Sequence, residues 1–246
     1  MKTLPRLKYA ARALLHALAL LSVKFLTLTF LFLLCLYALF QLVHEVFSEG
    51  DTGFDTRMFD IAQSLSSPGM THFMRHVSFF GSDEYLIVAM ALSVLVLSFY
   101  RSMQWNSLRM LLISFTVSVL NTFLKHYFVR PRPELGLLVV PGLSFPSGHA
   151  MIGGVFYGVL GYIIWTTVSR KVWRWVLISL LTLFVLLIGF SRVYLRVHYA
   201  TDVAAGYLFG ILWLMLSLYL MSRLERFYVK RYKKYLGSYR LKPIQK

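Results

Sequence analysis

The sequence predicts an all-α polytopic membrane protein, with six transmembrane helices and an outer-side interfacial helical segment between the first two. Three observations carry that expectation. Of 246 residues, 58% are hydrophobic and only 15% are charged, whereas soluble domains hold about 45–50% apolar and about 25% charged residues. The apolar residues gather in runs long enough to cross a bilayer. The basic residues divide unequally between the two ends of those runs. A disordered or collagen-like chain is excluded by 16% aromatic residues and by few glycines and prolines. The single cysteine, Cys35, lies inside an apolar run, which excludes an internal disulfide framework and a cysteine-rich metal site.

Six stretches approach the ~20 residues that span the hydrocarbon. They cover residues 25–43, 85–100, 107–124, 150–168, 172–190 and 203–222. The second is short and is expected to continue to Trp105, with Arg101 snorkelling. Residues 10–22 form a further apolar stretch carrying Arg12 and His16, read as an interfacial helix or the lower end of the first span. No small-residue cleavage site follows it at once, so it is expected to stay as an uncleaved anchor. The whole of 1–246 reads as one membrane-embedded domain, with about 1–24 cytoplasmic or interfacial and about 223–246 a basic cytoplasmic tail.

The net charge of +16 invites a nucleic-acid reading, and its placement argues against one. Six spans put both termini on one side. That side holds 19 of the 26 basic residues and, of the acids, only Glu225. Trp105, Trp173 and Trp175 fall at the same interface. The positive-inside rule therefore places both termini in the cytoplasm of a plasma-membrane protein. In the long first outer segment, Phe54, Met58, Phe59 and Ile61 suggest a helix lying on the membrane. Gly154 with Gly158, and Gly206 with Gly210, each make a small-residue face suited to close helix packing.

Seven basic residues stand on the outer side against this tendency, and five of them crowd into two short loops: Lys125, Arg130, Arg132, Arg192 and Arg196. The same loops hold Pro146-Ser147-Gly148-His149, and His198 with Asp202. Clustered cations suit an anionic group, above all a phosphate, which guanidinium grips bidentately. Ser147 and Gly148 directly precede the fourth span, where unpaired N–H groups and the positive end of the helix dipole make an anion seat. A plain helix-capping turn explains that tetrapeptide equally well when it is taken alone. His198 and Asp202 are four apart, hence on one helical face. The carboxylate there can fix the imidazole tautomer and leave the other ring nitrogen free to attack.

These segments resemble the three-part signature of the type 2 phosphatidic acid phosphatase superfamily. Its first part, Lys, six residues, Arg-Pro, is matched by Lys125 through Arg132-Pro133; its second, Pro-Ser-Gly-His, by residues 146–149. Its third, Ser-Arg, five residues, His, three residues, Asp, is matched by Ser191-Arg192, His198 and Asp202. Two positions depart from the commonest pattern: Arg196 stands where glycine is usual and Ala200 where proline is common.

The resemblance implies a metal-free phosphoryl transfer without a cofactor, acting on a membrane lipid phosphate or diphosphate. His198 would attack phosphorus, Asp202 would support the imidazolium, and His149 would protonate the leaving oxygen and then activate water. Lys125, Arg132, Arg192, the Ser147 hydroxyl and the Gly148 N–H would hold the phosphate oxygens. Arg196, with Arg130, is the candidate for selecting multiply anionic substrates. Undecaprenyl diphosphate, phosphatidylglycerol phosphate, phosphatidic acid, diacylglycerol diphosphate and lipid A phosphate all fit, as does phosphotransfer to a second lipid. The sequence leaves the head group and the oligomeric state open.

Overall fold

A computed structural model describes residues 4–49, 53–134, 136–138 and 140–232, with the backbone path only for 4–22, 24, 49 and 232. Residues 1–3 and most of the basic tail, 233–246, lie outside the described residues. Among the described residues there are helices and turns but no strand. The helices are α1 (Leu4–His44), α2 (Gly53–Ser64), α3 (Pro68–Phe79), α4 (Asp83–Phe99), α5 (Gln104–Phe128), α6 (Gly148–Thr167), α7 (Lys171–Tyr194) and α8 (Ala200–Tyr232). A π-helical turn, Glu45–Glu49, follows α1 and a single 3-10 turn, Arg101–Met103, precedes α5. Five helices are long and apolar enough to cross a membrane, and six if α3 and α4 count as one span bent by 44°.

The 10–22 stretch continues into the first span as one helix rather than forming a separate element. The second span differs from expectation. It does not run on to Trp105: the backbone turns extended at Tyr100 (φ −97°, ψ 112°), and Trp105 sits in the first turn of α5. With 17 residues, α4 is about 25 Å long, short of the ~30 Å hydrocarbon core. The missing length lies at its other end, in α3. Both halves are capped as the sequence dictates. The Ser67 hydroxyl accepts from Met70 N at 3.1 Å with Pro68 as the first helical residue, and the Ser82 hydroxyl accepts from Tyr85 N at 3.3 Å.

At the centre stands α6, packed by α5, α7 and α8. Its face against α8 depends on small residues, because helices in lipid associate through close packing and not through expulsion of water. A Cβ on Gly206 would lie 2.8 Å from the Ser147 carbonyl oxygen and 2.9 Å from Ala150 Cβ, and one on Gly210 would lie 3.2 Å from the Met151 carbonyl oxygen. Beneath this contact Met110, Ile113, Val117, Met151, Val155 and Ile188 form the dry core. Among its described side chains α1 faces mostly outward; it touches the bundle at Leu39, beside Phe145 and Ala205.

The segment between the first two spans forms two helices. In α2, Asp55, Met58, Phe59 and Ala62 share one face, and Met58 and Phe59 pack on Ala150, Val193, Ala200 and Val203. Of the four apolar positions expected to lie on the membrane, Met58 and Phe59 thus pack inward on the bundle, while Phe54 and Ile61 are exposed. At the opposite end of the bundle, Glu225 is paired with the buried Arg109, which also donates to Asn106 Oδ1 at 2.9 Å and lies over the Tyr162 ring. That contact ties the long C-terminal part of α8 back to α5 and α6.

Candidate active site

Four helix ends meet at one end of the bundle: the C-terminal turns of α5 and α7 and the N-terminal turns of α6 and α8. Two left-handed residues make this possible. Val129 (φ 46°) ends α5 with its N–H on the Lys125 carbonyl, and Arg196 (φ 52°) reverses the chain after α7. The reversal lets Val197 N and His198 N both donate to the Arg192 carbonyl, at 3.1 and 3.3 Å. A conformation that favours glycine at position 196 is thus held by an arginine.

His198 is 2% exposed and sits between an acid and a base. Its Nδ1 is 3.4 Å from Asp202 Oδ2, and its Nε2 is 3.2 Å from Arg132 Nη1. A guanidinium only donates, so Nε2 is the acceptor and the ring proton belongs on Nδ1, facing the carboxylate. The Nδ1–Oδ2 separation is within ion-pair reach but outside good hydrogen-bond geometry. Burial pushes the His198 pKa down to about 4; Asp202 pulls it up, and Arg132 and Arg192 add to the fall. At neutral pH the ring is therefore uncharged, with its lone pair on Nε2.

Asp202 is fully buried and its oxygens are engaged from several sides. Oδ1 accepts from Arg130 Nη1 at 2.6 Å; Oδ2 accepts from Tyr199 N at 2.9 Å and from the Ser144 hydroxyl. Arg132 also donates to the carbonyls of Val197 (2.7 Å) and Gly142 (3.2 Å). Lys125 Nζ donates to the Leu143 carbonyl at 3.1 Å. Arg192 is anchored by its Nη1 on Ser78, while its Nε is buried without a hydrogen-bond partner.

Ser147 occupies the cap position of α6 but its hydroxyl caps nothing and is likewise buried without a partner. The simple capping explanation of the Pro-Ser-Gly-His turn therefore fails. Ser147 N instead donates to the Asp202 carbonyl at 3.0 Å, joining the starts of α6 and α8. His149, one residue into α6 after Gly148, lies within electrostatic reach of Arg192, His198, Lys125 and Arg132. The eight residues expected at the reacting centre come from these helix ends and from the connections that join them, Arg132 after α5 and His198 before α8.

The two residues expected to tune selectivity are placed differently. Arg130 points inward, between Asp202 and Asp55, with its guanidinium 4.1 Å over the Tyr199 ring. Arg196 lies over Phe59 of α2 and donates to the Gln63 side-chain oxygen. Five residues outside the sequence reading also touch the site: Asp55, Ser78, Gly81, Ser144 and Thr201. Only Asp55 left a trace, as an acid on the otherwise apolar 55, 58, 59, 62 stripe. Among the described residues no group of three or more His, Cys, Asp or Glu could hold a metal ion.

Known proteins similar to this chain share its family and fold. The PAP2 superfamily model matches residues 85–226. Phosphatidylglycerophosphatase B of Bacillus subtilis is 30% identical over 168 residues, covering 66% of this chain and 81% of that protein. The crystal structure of a transmembrane PAP2-type phosphatidylglycerolphosphate phosphatase from Bacillus subtilis superposes with a TM-score of 0.72 at 26% identity, covering 80% of this chain and 98% of that one. Aquifex aeolicus LpxE superposes with a TM-score of 0.54 at 26% identity, over 67% of this chain and 94% of that one. The chain belongs to the PAP2 superfamily and is a multi-pass membrane lipid phosphatase, a phosphoric ester hydrolase.

Proposed function

We propose that this chain, acting as a single membrane-embedded unit, removes phosphate from a membrane lipid phosphomonoester or diphosphate at the outer face of the plasma membrane, through a phosphohistidine at His198. The observation that carries the reading is Nε2 of the buried His198, 3.2 Å from Arg132 Nη1, in a site that also holds Lys125, Arg192 and the unpartnered Ser147 hydroxyl.

In the first step Nε2 forms a bond to phosphorus as the bond from phosphorus to the lipid oxygen breaks. His149 gives its proton to that oxygen, and Asp202 stabilises the imidazolium through Nδ1–H. In the second step His149 takes a proton from water, the hydroxide attacks phosphorus, and the P–N electrons return to Nε2. Lys125, Arg132, Arg192, the Ser147 hydroxyl and the Gly148 N–H hold the three non-bridging oxygens throughout. The fixed cations supply the charge neutralisation that a metal would supply elsewhere, so turnover is expected to survive excess EDTA. Phosphatidylglycerol phosphate comes first among substrates, because the curated relative is named for it; undecaprenyl diphosphate, phosphatidic acid, diacylglycerol diphosphate and lipid A phosphate follow.

Sidedness is supported by the division of charge, since the site lies at the end of the spans opposite to the one to which the sequence assigns 19 of 26 basic residues. An impermeant thiol reagent on intact cells tests it with Glu134→Cys and Ser169→Cys in a Cys35→Ala background. Labelling at 169 but not at 134 would invert the topology.

The mechanism is tested by phosphate release from this panel of lipids in detergent. His198→Ala is expected to abolish both turnover and an acid-labile phosphoenzyme. His149→Ala is expected to abolish turnover of lipid alkoxide leaving groups but to spare much of it with a nitrophenyl phosphate, whose leaving group needs little protonation. A phosphoenzyme in His198→Ala would refute the nucleophile. Product analysis with an added lipid alcohol separates hydrolysis from phosphotransfer.

A further inference from the structure

Asp55 lies on α2, outside the residues that match the family model, 85–226. It is a carboxylate buried to 1% exposure, in a helix whose other inward residues, Met58, Phe59 and Ala62, are apolar. A charge that deep is retained only with partners. Oδ1 accepts from Thr201 N at 2.8 Å; Oδ2 accepts from the Thr201 hydroxyl at 2.8 Å and from Arg130 Nη2 at 3.1 Å. The other terminal nitrogen of the same guanidinium, Nη1, holds Asp202 Oδ1 at 2.6 Å and the Thr201 hydroxyl at 2.8 Å. Arg130 is therefore a fork between two carboxylates, one on α2 and one at the start of α8.

We infer that Asp55 is a positioning residue that acts through Arg130 to set the Asp202 carboxylate, and with it the orientation of His198. The inference rests on the nucleophile and its acid as proposed above. Arg130 pulls on Oδ1, while Oδ2, the oxygen nearest His198 Nδ1, is held by Tyr199 N and the Ser144 hydroxyl. Asp202 is thereby fixed at both oxygens. Without Asp55, one arm of the fork loses its anion, and the undivided guanidinium charge falls on Asp202. The carboxylate is then drawn from the imidazole, and Nε2 loses its aim at phosphorus. An error of about 1 Å there costs roughly 10–100-fold in rate. Substrate binding is left to Lys125, Arg132, Arg192 and Ser147, none of which Asp55 touches.

The design also assigns a role to α2. The face carrying Asp55, Met58, Phe59 and Ala62 covers the 195–199 connection that bears His198, with Phe59 against Tyr199 and Ala62 against Leu195 and Val197. An element that covers the nucleophile also carries the carboxylate that trims it.

The test uses the full chain in detergent, with the most rapidly hydrolysed lipid of the panel. Asp55→Asn keeps the shape and can still accept from Thr201, but loses the ion pair with Arg130. It is expected to lower kcat about 10–100-fold with KM changed less than about twofold, at a wild-type thermal midpoint. Asp55→Asn combined with Arg130→Gln is expected to be no slower than Arg130→Gln alone, because both act through one contact. Asp60→Asn, an exposed acid on the same helix, keeps wild-type kcat. Should Asp55→Asn not fold, Arg130→Lys carries the test. It retains the charge but cannot fork between two carboxylates, and it is expected to lose kcat alike. A wild-type kcat in the folded variant, or a loss confined to KM, overturns the inference while His198→Ala is dead. Turnover by His198→Ala overturns instead the nucleophile on which it rests.

Discussion

Arg132 Nη1 lies 3.2 Å from Nε2 of His198 and donates at 2.7 Å to the carbonyl of Val197, the residue before it. One guanidinium thus holds the backbone that carries the imidazole and also covers the ring's lone pair. The proposed attack on phosphorus requires that lone pair, so in that mechanism Arg132 turns its N–H groups to the phosphate oxygens as the substrate enters. Its fork geometry allows this without losing the backbone contact. Arg132→Met is expected to cut kcat by about 10²–10³, the usual cost of one donor to developing charge. Arg132→Lys falls between, keeping charge without the fork. Single-turnover formation of the phosphoenzyme measures the step directly; an unchanged rate would remove Arg132 from it.

The acid sensitivity of the fold follows from the same ring. The His198 pKa of about 4 lies below the ~6.5 of an unfolded histidine. Between those values the unfolded chain binds a proton that the folded chain refuses, so stability rises with pH across this window. The contribution is complete above about pH 6.5 and is lost as pH falls toward 4, at most about 3 kcal/mol. Thermal midpoints at pH 7 and pH 4.5, for wild type and His198→Gln, check it. The variant is expected to lose less on acidification. Equal losses would assign the acid sensitivity to other groups.

Motif residues could be read from the chain because their spacing is local geometry. Lys125 with Arg132, Ser147 with His149 and His198 with Asp202 each lie within one turn or connection, and charge asymmetry set them all on one side. Asp55, Ser78 and Gly81 obey no such spacing. They reach the site only because α2 and the α3–α4 break fold over it. The overlong second span rests on Met103 and Trp105 alone: Arg101, Ser102, Gln104 and Asn106 stand among them, and the chain turns at Tyr100 where that polar stretch begins.

Gly81 shows how tight that break is. A Cβ there would lie 2.6 Å from Ile188 Cγ2 and 3.0 Å from Cδ2 of the His149 ring. The break is further pinned by Tyr157, whose hydroxyl donates at 2.9 Å to the Phe80 carbonyl. Neither neighbour can yield freely, for Ile188 is in the core and the imidazole must stay in place. Gly81→Ala is expected to destabilise by about 1–3 kcal/mol, as overpacking does, and to displace His149. The displacement has its own signature: turnover of lipid substrates falls more than turnover of nitrophenyl phosphate. Gly69→Ala, which meets nothing within 4 Å, serves as the control. Equal losses on the two substrates would confine Gly81 to packing.

Arg130 and Arg196 differ in spare charge, and that difference predicts selectivity. Arg130 faces two carboxylates at 2.6 and 3.1 Å and has none to offer. Arg196 is met by the neutral amide of Gln63 and the Phe59 ring, beside the connection that carries His198. The Gln63 oxygen carries no net charge, whereas a phosphate adds ion pairing and a bidentate grip to the guanidinium, so a second phosphate is expected to displace Gln63. Arg196→Gly also suits the backbone, since φ 52° favours glycine, and the fold is expected to tolerate it. The variant is expected to lose roughly tenfold in kcat/KM on a lipid diphosphate relative to the matching monophosphate. Arg130→Lys, by contrast, is expected to slow both substrates by the same factor. Parallel kcat/KM measurements on the two lipids decide it, and an equal change for Arg196→Gly would reduce Arg196 to a clasp on α2.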